Sequence, residues 1–105
     1  MAWIYLIIAG LLEVAWSSGL KLVADRFSLP MAALTLVAMI ASVVALGLAM
    51  TRLPLGIAYP IWTGIGSVGA VAIGTLVFGH GLSVGGMIGL VLLIAGMALL
   101  GAEAH

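Results

Sequence analysis

The acid at position 13 lies in unexpected company. Glu13 is the one charged residue between Ala2 and Leu20, a run otherwise made almost entirely of apolar and small residues. An ionised carboxylate at the centre of an apolar helix costs roughly 2.5–3.5 kcal/mol on insertion scales. Lys21, the nearest cation in sequence, is eight residues away, roughly 12 Å along a helix axis. An acid kept there without a partner makes physical sense if it faces a wet cavity and binds a proton, a cation, or each in turn. Apolar surroundings favour the neutral form of a carboxyl and a bound cation favours the ionised form. Competition between the two is the minimal machinery of an antiporter.

The neighbours of Glu13 fit a site. Gly10 and Trp16 lie three residues to either side and share its helical face, giving close helix approach and an aromatic wall. Ser17, one turn on, offers a hydroxyl. Further along, Tyr59 and Trp62 are three apart, with Thr63 and Gly66 continuing the stripe, and Met39 and Ser42 form a similar pair. Aromatic faces near an acid suit a cation through cation–π attraction. Trp3 and Tyr5, near a span end, are explained by the membrane interface instead. An enzyme is disfavoured, because the sequence supplies no second carboxylate, Ser–His pair or metal cluster beside Glu13. His80 and His105 have no partner at metal spacing and are read as solvated bystanders.

The elements that position these residues follow from composition. Of 105 residues, 66% are hydrophobic and 6% charged, and the mean hydropathy is +1.46. So few charges cannot form the shell of a soluble domain. The chain is expected to be one all-α transmembrane domain, 1–105, with spans at about 2–21, 30–50, 55–78 and 84–102. Each holds the roughly 20 residues needed to cross about 30 Å of hydrocarbon. Lys21, Asp25 and Arg26 are assigned to a first aqueous loop. Pro30 and Pro54 open the second and third spans, and Ser83 is expected to cap the fourth. Open strands would leave backbone groups unsatisfied in lipid, and a barrel would alternate in polarity. No cleavable signal peptide is expected at the N-terminus. The absence of cysteine excludes disulfides and thiolate metal sites, and the zero net charge without a basic run gives no pointer to nucleic acid.

Pro60, with Gly64 and Gly66, predicts a kinked or flexible third helix suited to a gate. Gly85 and Gly89 are four apart and Gly96 returns to nearly the same face, marking the fourth span as a self-association surface. Orientation is almost undecided. Lys21 and Arg26 fall on one side, Arg52 and the terminal amine on the other. Such balance permits insertion both ways, and hence an antiparallel homodimer.

These residues carry a resemblance over nearly the whole chain. Glu13 in the first span, Pro54-Leu55-Gly56-Ile57-Ala58-Tyr59 opening the third, and Trp62-Thr63-Gly64-Ile65-Gly66 after it resemble the small multidrug resistance transporters. The resemblance implies an antiparallel, dual-topology homodimer in the bacterial inner membrane, with the fourth helices holding it together. It further implies proton-coupled export of small cations, driven by the proton gradient without a cofactor, with Glu13 as the shared proton and substrate site. Gly10, Trp16, Gly19-Leu20-Lys21, Met39 and Gly69 are more similar to the guanidinium exporter branch. A planar guanidinium can pair with a carboxylate through two hydrogen bonds, with Ser42 and Trp62 expected to orient the Glu13 side chains. The alternatives are a polyspecific exporter of hydrophobic quaternary ammonium cations and a subunit of a heteromeric pump.

Overall fold

The computed structural model describes residues 1–103. Among them are four α-helices: α1 (Ala2–Asp25), α2 (Leu29–Ala49), α3 (Leu55–Leu76) and α4 (Val84–Ala102). All four are long and apolar enough to cross a membrane. An α-helix pairs its interior backbone groups within its own segment, the condition lipid imposes on a spanning backbone. The chain is a multi-pass membrane protein.

The punctuation follows local chemistry. Pro30 sits in the first turn of α2, and Pro54 precedes α3 in extended conformation. The Ser83 hydroxyl accepts the Gly86 N–H at 3.1 Å and caps α4 as expected. Two boundaries differ from the sequence reading. α1 runs a turn beyond residue 21, and along that turn Lys21 Nζ donates to Asp25 Oδ1 at 2.9 Å. The loop charges thus belong to the helix end, and the chain leaves it at Arg26, whose backbone is extended. α3 stops at Leu76 rather than 78. Gly79, with φ +69°, turns the chain there, and the His80 N–H returns to the Gly74 carbonyl at 2.9 Å.

The helices form a slab of 44 × 35 × 16 Å, whose thickness is about one and a half helix diameters. α1 packs on both α2 and α3, while α4 packs on α3. The interior is a seam between α1, α2 and α3, centred on Leu6, Ala9, Ser42, Ala45, Ala58 and Trp62. In lipid such a seam gains little from the hydrophobic effect and depends on close packing and hydrogen bonds. α4 has no buried residue at all. Its one-sided packing leaves most of its surface open.

Candidate functional site

Glu13 projects from the middle of α1 onto α3. A Cβ added at Gly66 would fall on the Glu13 carboxyl carbon and crowd both of its oxygens. The glycine is therefore the seat of the carboxyl group. A turn earlier the same arrangement is reversed, with Ile65 of α3 occupying the space where Gly10 of α1 lacks a side chain. These two contacts fix the height of Glu13 relative to α3. Glu13 Oε2 is buried without a hydrogen-bond partner, and the Trp16 indole N–H is likewise unpartnered. Among the described residues the ion pair is Lys21–Asp25, and Glu13 has no cation.

Ser42 and Trp62 are expected to orient the two Glu13 side chains of a dimer; within the single chain their hydrogen bonds go to the backbone of α1 and to each other. The Ser42 hydroxyl donates to the Ala9 carbonyl at 2.7 Å, and Trp62 Nε1 donates to Ser42 Oγ at 3.0 Å and to the Ala9 carbonyl at 3.2 Å. Ser42 is 0% and Trp62 9% exposed, so these bonds form where each unmade one would be costly. Ala9 precedes Glu13 by four residues, and its carbonyl is the helical acceptor for the Glu13 N–H. The network ties three helices together at the turn that carries Glu13. Replacing Ser42 by alanine should lower stability by about 1 kcal/mol, since Trp62 keeps its bond to Ala9. Denaturant unfolding in detergent micelles reads this directly, and an unchanged midpoint would count against the network.

The remaining candidates divide clearly. Tyr59 is half-exposed, its ring centroid 5.5 Å from that of Trp62 and tilted by 58°. Its ring is the accessible aromatic face, whereas the Trp62 N–H is already occupied. Met39 is half-buried on α2. The Ser17 hydroxyl donates to the Val14 carbonyl at 3.1 Å, so its hydrogen serves α1 rather than a ligand. α3 remains helical through Pro60, which offers no N–H to the Gly56 carbonyl. Gly64 lies under Met97 of α4 and Gly66 under Glu13; both glycines serve close approach. Gly89 and Gly96 face open space and Gly85 meets only Ser83, leaving that flank of α4 uncovered. His80 is exposed in the loop after α3, and His105 lies outside the described residues.

Sequence reasoning missed the Ala9 carbonyl, because a backbone acceptor leaves no trace in residue type. It also missed Val14, whose side chain fills the space above Gly69. A valine in an apolar run carries no signal of its partner.

The arrangement provides a membrane-embedded acceptor with a free oxygen, an unused indole donor on the same helix, and an accessible tyrosine ring. Chemically it can hold a proton or an organic cation.

Comparison with known proteins agrees with this chemistry. The chain is 46% identical over 105 residues to the guanidinium exporter of Salmonella typhimurium, covering 100% of both chains. It is 48% identical over 97 residues to the guanidinium exporter of Yersinia pseudotuberculosis, covering 92% of this chain and 93% of that one. With the guanidinium exporter of Citrobacter freundii the identity is 45% over 105 residues, again covering 100% of both. The family model described as Small Multidrug Resistance protein matches residues 1–93, a stretch that includes all of α1, α2 and α3 with the acid, its glycine seat and both aromatics. By that match, and by full-length identity to its relatives, the chain belongs to the small multidrug resistance protein family.

Proposed function

We propose that this protein is a proton-coupled antiporter that exports guanidinium or small substituted guanidinium cations across the bacterial inner membrane. Glu13 binds the cation when ionised and releases it on protonation, so the two ligands alternate at one carboxyl. The observation that carries this reading is the unpartnered Glu13 Oε2, buried in a membrane-spanning helix with no cation beside it among the described residues. A planar guanidinium provides the paired N–H donors that such a carboxylate lacks. The names of the relatives support the choice of cation.

The working unit in this reading is an antiparallel homodimer. Arg26 and Arg52 are exposed at opposite ends of α2, so charge favours neither orientation strongly. A slab only 16 Å thick, with an uncovered α4 glycine flank, has broad faces for a second copy. Two chains would bring two Glu13 carboxyls to one chamber. No cofactor takes part, and the proton gradient supplies the driving force.

A second reading, a polyspecific exporter of bulky quaternary ammonium cations, draws on the half-exposed Tyr59 ring, which suits cation–π contact with large ligands. One assay separates them. In proteoliposomes with an imposed proton gradient, guanidinium should move against its own gradient, and a bulky quaternary cation should neither move nor compete. Export of the quaternary cation alone would reverse the assignment. Activity that required a different partner chain would point to a heteromeric pump.

A further inference from the structure

α3 is gripped from two sides at one level. Gly66 receives the Glu13 carboxyl from α1, and Gly64, two residues earlier, receives the thioether of Met97 from α4. Two residues turn a helix by about 200° and advance it by about 3 Å. The two glycines therefore open in nearly opposite directions at almost the same height. Both are buried. Between the Met97 side chain and the Glu13 carboxyl stands the bare α3 backbone, whose Cα atoms lie on a cylinder about 4.6 Å across.

Met97 is also the point at which α4 reaches the interior. No residue of α4 is buried, and among the described residues Met97 is the one on that helix packed against the buried core. It presents Sδ, Cγ and Cε to the place where a Gly64 Cβ would be. On the α1 side, Trp62 ties α3 to Ser42 and the Ala9 carbonyl. One turn further on, the hydroxyls of Thr63 and Ser67 bond within α3 itself. Among the described residues no hydrogen bond from α3 reaches the buried Glu13 Oε2. The approach of Gly66 to the carboxyl is thus set by packing, and the packing behind it is Met97.

We propose that Met97 is a positioning residue for cation binding, the backstop that keeps Gly66 of α3 seated against the Glu13 carboxyl. It touches neither the carboxyl nor the cation and acts through the α3 backbone. Shortening it opens a void behind Gly64, into which the surroundings relax in part. α3 then moves toward α4, Gly66 withdraws from Glu13, and the carboxyl is no longer held at one position. An unbranched thioether suits this role, because it follows small shifts of α3 without losing contact. The inference rests on the reading of Glu13 as the guanidinium site.

The test is guanidinium affinity by calorimetry for wild type, Met97→Leu, Met97→Ala, and Met97→Ala combined with Gly64→Ala. Crosslinking reads the dimer fraction in the same preparations. Met97→Ala should weaken binding roughly tenfold, within the range for a residue coupled to a site it does not touch. Met97→Leu conserves volume and should stay within about twofold of wild type. The methyl group of Gly64→Ala falls where the thioether lies, so the double variant should regain part of the affinity lost in Met97→Ala. Unchanged affinity in Met97→Ala would overturn the backstop. So would a double variant no better than Met97→Ala, or a loss that follows the dimer fraction. If Met97→Ala fails to assemble, Met97→Val replaces it, and affinity equal to that of Met97→Leu overturns the proposal. Wild type that neither binds nor moves guanidinium would instead refute the antiporter reading.

Discussion

Glu13→Gln will abolish proton-coupled cation transport while leaving a folded membrane protein. The amide keeps the shape of the side chain, so its fit over Gly66 is preserved. It removes the negative charge and the titratable proton together. Loss of one member of a buried charge pair costs about 2–5 kcal/mol, so cation affinity should fall roughly 30-fold to several thousand-fold. Coupling should vanish entirely, since no proton can then be exchanged. Binding by calorimetry and uptake under a proton gradient measure the two losses separately. Full transport by the Gln variant would remove Glu13 from the mechanism.

Gly66→Ala should be nearly as damaging, although it deletes no functional group. A methyl group at position 66 falls on the carboxyl carbon of Glu13, so the side chain must swing off its seat. Displacing a reacting group by about 1 Å can cost on the order of 100-fold in rate, and a comparable drop in transport kcat/KM is expected. Alanine also strengthens helices by up to about 1 kcal/mol relative to glycine. Gly56→Ala on the same helix, where a Cβ meets nothing within 4 Å, controls for that gain and should transport normally. The decisive measurement is the double variant. Glu13→Asp shortens the side chain and withdraws the carboxyl from the added methyl, so in the Gly66→Ala background it should restore part of the lost activity. Additive losses would show that the two residues do not interact.

These expectations depend on features of unequal legibility. Glu13 is conspicuous in the sequence because its cost in an apolar helix is large and local, requiring no knowledge of what lies opposite. Ser83 as a cap and the prolines at the starts of α2 and α3 are similarly local. The boundary of α1 was harder to place. Lys21 and Asp25 look like loop residues to a hydropathy argument, yet at a spacing of four they pair along a helix that continues past the apolar run. Ser42 and Trp62 were recognisable as site candidates, but not their partner, because the Ala9 carbonyl that receives both bonds is a backbone atom.

The amino-acid sequence by itself determined four apolar spans, one intramembrane acid and nearly balanced loop charge, since each depends only on residue type and spacing. Tertiary structure alone decided which glycine faces which side chain. Gly10 under Ile65, Gly66 under Glu13 and Gly74 facing open space are alike as letters. They differ because helix packing brings a particular neighbour, or none, to the place where each Cβ would be.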